Sequence, residues 1–266
     1  MKIRVLTALI VLSIFIPLVI IGGLLFNLFV LIISLLAFNE MLELKETKKA
    51  LPLFMKVISF LVYTYIVINL STTNEFIYTL DYRSVALLIF IFLIPIIIYH
   101  DNKVYNINDG IFLIGLTFFL GVSFNLFIIL RAYSLMHVFY LLVITTMTDT
   151  YAYISGNLIG KNKLLSIISP NKTWEGLIIG TAFGVLISVV FYYIAIDSNI
   201  NLFILTVCTL LLSLIGQLGD LVFSSIKRLY NKKDFSNIMP GHGGILDRLD
   251  SIIFVVLAYV LFMFII

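Results

Sequence analysis

The sequence predicts an all-α integral membrane protein, a polytopic bundle of about nine transmembrane helices, and three observations carry that prediction. The 266 residues are 62% hydrophobic and only 12% charged, about half the charged share of an ordinary soluble domain. Mean hydropathy is +1.16. The apolar residues gather into runs that match the roughly 30 Å hydrocarbon layer, which takes about 20 helical residues to cross.

Those runs fall near 5–22, 23–39, 51–70, 84–99, 111–130, 136–155, 174–195, 202–224 and 251–266. The first follows Lys2 and Arg4 and imitates a secretory signal. It continues through Gly22 into a second apolar stretch without a small-residue cleavage site, so a retained helix is expected. Gly22 and Gly23 alone separate the first two runs, which implies a tight helical hairpin there. With nine spans, one side of the membrane collects every Lys and Arg except Arg83 and Arg131. The positive-inside rule makes that side cytoplasmic, with the N-terminus inside and the C-terminus outside. A single membrane domain over 1–266 is expected, with 1–100 as scaffold helices and 101–266 carrying the active site.

Composition also narrows the chemistry. The single Cys208 lies in an apolar run, so neither a disulfide framework nor a Cys-ligated zinc site can be built. The net charge of +3 sets orientation in a membrane chain and does not by itself imply nucleic acid.

Polar residues crowd into the second half. Between 220 and 250 lie nine charged residues: Asp220, Lys227, Arg228, Lys232, Lys233, Asp234, Asp247, Arg248 and Asp250. Gln217, Asp220, Ser224, Lys227 and Asn231 recur at steps of three or four and form one polar stripe on a helix. An ionised Asp220 near the bilayer needs a partner, either an internal base or a bound cation. The loop from Asn231 to Gly244 holds Pro240, Gly241, His242, Gly243 and Gly244, which suits either a re-entry turn or a close backbone approach to an anion. Asp247 and Asp250 share a face at the start of the last helix. Helix-dipole stabilisation and Mg²⁺ coordination both favour carboxylates there.

Two further clusters precede this island. Asp149, Tyr153, Gly156 and Gly160 lie on one helical face; the segment from Gly156 to Lys161 lacks the spacing and the Ser or Thr of a P-loop. In the run from Ser169 to Gly176, Thr173 can cap the next helix. Lys172 then stands beside Lys161 and Lys163, placed for a lipid phosphate.

The run from Ser224 to Asp250 resembles the signature of the phosphatidate cytidylyltransferase (CDP-diacylglycerol synthase) family. The match runs through Ser224, Lys227, Arg228, Lys233, Asp234, Ser236, Pro240, His242, Gly243, Gly244, Asp247, Arg248 and Asp250. Met239 is a mild departure. The segments Asp149–Lys161 and Ser169–Gly176 also resemble family motifs, so the likeness is strong over 149–250 and general elsewhere. It implies a membrane enzyme of phospholipid biosynthesis that joins CTP and phosphatidate into CDP-diacylglycerol and pyrophosphate at the cytoplasmic face, with Mg²⁺ and room for a second cation. It also implies Asp220 and Asp247 as metal ligands, with Asp149 and Asp250 as further candidates. Lys227 and Arg228 would join the two aspartates in catalysis. Ser224, Lys233, Asp234, His242, Gly243, Gly244, Arg248 and Lys172 would bind substrate. A homodimer is the family-level expectation. The rival readings are a CTP-dependent lipid kinase and a cation transporter using Asp149 and Asp220.

Overall fold

The computed structural model describes residues 2–68, 82–239, 241 and 243–263. In chain order the elements are α1 (Lys2–Ile21), α2 (Gly23–Glu46), α3 (Leu53–Ile68), α4 (Tyr82–Leu93), α5 (Pro95–Tyr99), α6 (Ile107–Tyr133), α7 (Leu135–Ile159), β1 (Lys163–Leu165), β2 (Ser169–Thr173), α8 (Trp174–Ala195), α9 (Leu202–Leu229) and α10 (Leu246–Phe262). Every expected apolar run but one lies on a single helix, although the ends of the runs 51–70 and 251–266 extend outside the described residues. Four of these helices, α2, α6, α8 and α9, are long and apolar enough to cross a membrane by length and composition. The chain is that of a helical membrane protein.

Three features depart from the expected elements. The run 84–99 is two helices, because Pro95 cannot continue the hydrogen-bond ladder of α4 and instead opens α5. Several helices overrun their apolar segments, α9 by a full turn through Lys227 and Arg228. And the chain is not helical throughout: β1 and β2 form an antiparallel hairpin with Lys163 opposite Thr173 and Leu165 opposite Ser169. Short polar stretches between helices escape a reading based on helical periodicity.

The chain divides into two compact units, Ala8–Tyr133 and Met1–Thr7 with Ser134–Ile266. In the first, α6 packs on α2, α3 and α4. Phe38 stacks on Tyr63 at 4.2 Å between ring centroids. Asp109 receives Lys45 and Lys49, each at 2.5 Å. The break between α1 and α2 falls at Gly22, whose φ of 69° few other residues adopt. Arg131 donates to the carbonyls of Val19 and Ile20 there.

In the second unit α7 and α8 pack most closely. A Cβ added at Gly180 would lie 2.6 Å from the Ala152 Cβ, so only glycine lets the two backbones approach this far. Thr173 caps α8 by accepting from the Gly176 amide at 3.1 Å, as its position before the apolar run predicts. The polar stripe on α9 continues deeper than Gln217. Ser213 bonds Thr148 at 2.8 Å and Thr209 bonds Tyr140 at 2.7 Å, joining α9 to α7.

Candidate active site

A cavity of about 610 Å³ opens in the second unit, walled by α7, the hairpin, α8, α9 and the start of α10. Asp149, Lys172, Asp220, Asp247, Arg248 and Asp250 all line it. Residues from four separate polar clusters of the sequence therefore face one space.

Two ion pairs with different surroundings organise it. Lys172 on β2 reaches Asp220 on α9 at 2.6 Å, with 26% of each side chain exposed. Lys227 meets Asp247 at 2.6 Å with only 10% and 6% exposed. The second Asp247 oxygen accepts from the amides of Phe235 and Gly244, both at 2.9 Å. Asp247 thus ties α9, the 230–244 loop and α10 into one corner. Gly243 completes this turn at φ 82°, where an added Cβ would sit 2.8 Å from the Asp247 carboxylate.

The remaining carboxylates are less engaged. Asp149 accepts from the Ser251 hydroxyl at 3.3 Å, and Asp250 from the Ser251 amide at 2.8 Å. Ser224 donates to Asp220 at 3.3 Å. Asp149 and Asp250 each feel the charge of Asp220. Of the four carboxylates that line the cavity, Asp149, Asp220 and Asp250 repel one another; Lys172 offsets part of that repulsion and a bound cation would offset more. Among the described residues no three His, Cys, Asp or Glu side chains form a ready metal cage. Mg²⁺ needs none, since it takes one or two carboxylates and completes its shell with phosphate and water. Asp220 with Asp149 or Asp250 fits that requirement. Asp247 does so only by giving up its bonds to Lys227 and the loop amides.

Other expected residues stand apart from the cavity wall. Arg228 donates to the Ile168 carbonyl at 3.2 Å and so holds the hairpin turn. Lys233 and Asp234 are exposed on the loop, and Ser224 is buried behind Asp220. His242 lies outside the described residues. Conversely, Asn157, Asn171 and Lys163 line the cavity without having been singled out as site residues. Asn171 precedes Lys172 in a motif that could have flagged it, and Asn157, four residues after Tyr153, falls on the helical face that carries Asp149.

Comparison with known proteins concerns the chain as a whole. A model of the "Cytidylyltransferase family" matches residues 2–266. The chain is 36% identical over 256 residues to the phosphatidate cytidylyltransferase of Staphylococcus haemolyticus (strain JCSC1435), covering 96% of each chain. It has the same identity and coverage with that of Staphylococcus aureus (strain COL), and 35% identity with that of Staphylococcus epidermidis (strain ATCC 12228). With a match across the full helical scaffold and the site-bearing half alike, the chain belongs to the cytidylyltransferase family.

Proposed function

We propose that this chain transfers the cytidylyl group of CTP to phosphatidate, giving CDP-diacylglycerol and pyrophosphate at the cytoplasmic face of the cell membrane. The observation that carries the reading is the single cavity where carboxylates and bases from Asp149 to Asp250 converge, in a chain similar over 96% of its length to proteins named for this activity.

In the reaction an oxygen of the phosphatidate monoester attacks the α-phosphorus of CTP. The new P–O bond forms as the bond from that phosphorus to the bridging oxygen breaks, and pyrophosphate leaves with the bridging oxygen and its electron pair. The monoester is largely ionised near neutral pH, so no side chain has to remove a proton. The chain supplies position and charge instead. Lys172, Lys163 and Arg248 face the cavity and hold phosphate oxygens. Lys227, fixed by Asp247, adds positive potential beside Asp250. Arg228 positions the hairpin that carries Lys172. Mg²⁺, held by Asp220 with Asp149 or Asp250, would neutralise charge on the transferring and leaving phosphates. The concentration of Lys and Arg on one side of the spans supports the cytoplasmic placement, and the working unit is proposed to be a homodimer.

The test is purified protein supplied with phosphatidate, Mg²⁺ and CTP labelled either in cytidine or in the γ-phosphate. Cytidine label in the lipid fraction, with γ-label released as pyrophosphate, is expected. Transfer of γ-label to lipid would replace this reading with a kinase, and ion flux without CTP turnover would replace it with a transporter.

A further inference from the structure

We propose that the β1–β2 hairpin is a membrane-docking element whose turn sits among the headgroups and first methylenes of an anionic bilayer, beside the cavity mouth. Ile167, at its tip, is 89% exposed, more than any other large apolar side chain described, and it lies outside every helix. Leu165, beside it at the end of β1, is also exposed, as is Trp174, the only tryptophan of the chain, which opens α8 at the base of the hairpin. Removing so exposed an apolar side chain from water is favourable.

Here the tip is instead held outward. The Ile168 amide donates to the Leu165 carbonyl at 3.1 Å, and Arg228 grips the Ile168 carbonyl from α9. At the other end of the hairpin the Trp174 amide donates to the Asn162 carbonyl at 3.0 Å. A turn fixed at both ends with its apolar side chain projecting has a surface to meet.

Charge identifies that surface. From Leu158 to Glu175 the chain carries three bases, Lys161, Lys163 and Lys172, against one acid, Glu175, which accepts from Asn162 at the base of the hairpin, away from the tip. Apolar and aromatic side chains next to lysines are the composition of an interfacial anchor for anionic lipid. Lys163 and Lys172 of the same hairpin line the cavity. The element that dips into the interface is therefore the one that presents bases to the site, and it draws an anionic lipid headgroup toward Asp220. Docking stands on these observations alone; its consequence for lipid capture rests on the proposed transfer reaction.

The test uses the full chain with Cys208→Ala and Ile167→Cys, carrying a nitroxide at 167, in vesicles of phosphatidylcholine and phosphatidylglycerol. Collisions with oxygen, which concentrates in lipid, are expected to exceed those with a water-soluble nickel chelate. The reverse order overturns the proposal. In parallel, Ile167→Asp is expected to raise the apparent KM for phosphatidate in mixed micelles about five- to tenfold with the KM for CTP unchanged. An unchanged lipid KM overturns the capture role. Absence of turnover in the unaltered protein would overturn the transfer reading while the collision result still decides docking.

Discussion

Lys172 and Asp220 meet at 2.6 Å on the wall of the cavity, and 26% of each side chain remains exposed. An ion pair open to solvent on one side is held less firmly than a sealed one, which makes it exchangeable. Lys172 occupies the Asp220 oxygen that a metal would need. Lys172→Gln is expected to lower the Mg²⁺ concentration for half-maximal activity about threefold and to raise the phosphatidate KM about tenfold. Steady-state rates over a grid of Mg²⁺ and lipid concentrations measure both.

The Lys227–Asp247 pair behaves differently because it is sealed. Removing one partner of a buried pair leaves an uncompensated charge, at a cost of about 3–5 kcal/mol. Lys227→Met should lower the thermal unfolding midpoint in detergent accordingly. The double variant Lys227→Met with Asp247→Leu should recover part of the loss, although the Phe235 and Gly244 amides would then lack their acceptor.

The close approach of α7 and α8 is tested at Gly180. The added methyl of Gly180→Ala would sit 2.6 Å from the Ala152 Cβ and 2.8 Å from its backbone, and overpacking of this kind costs about 1–3 kcal/mol. Asp149 rides on the same stretch of α7, so turnover should fall together with the unfolding midpoint.

In the unit Ala8–Tyr133, Arg131 satisfies two carbonyls at the end of α1 that have no helical partner. Arg131→Ala leaves them unmet, costing about 1–3 kcal/mol. Amide hydrogen exchange around Gly22 should accelerate.

The helices were legible because a bilayer leaves few alternatives: long apolar runs have to satisfy their backbone internally. Thr173 as a cap and the Gly22–Gly23 break were readable for local reasons. The hairpin was not, since three- and five-residue strands have too little periodicity to stand out beside helices. At the site, Asp149, Asp220, Asp247 and Asp250 could be picked out because charge in an apolar chain is conspicuous. Which base each one meets could not. Asp220 and Lys227 lie on the same polar stripe of α9, yet Asp220 pairs with Lys172 from the hairpin and Lys227 with Asp247 from α10. Sequence spacing fixes neighbours along a helix and is silent about neighbours across one.

The most direct measurement compares Asp220→Asn with Asp247→Asn in turnover and in unfolding midpoint, using purified protein with CTP, phosphatidate and Mg²⁺. Asp220 faces the cavity in an exchangeable pair, so its variant should lose at least about a hundredfold in turnover with little change in midpoint. Asp247 frames the corner of α9, the loop and α10, so its variant should lose both. An Asp220→Asn protein that turns over CTP like the unaltered chain would contradict the assignment of the chemistry to this cavity.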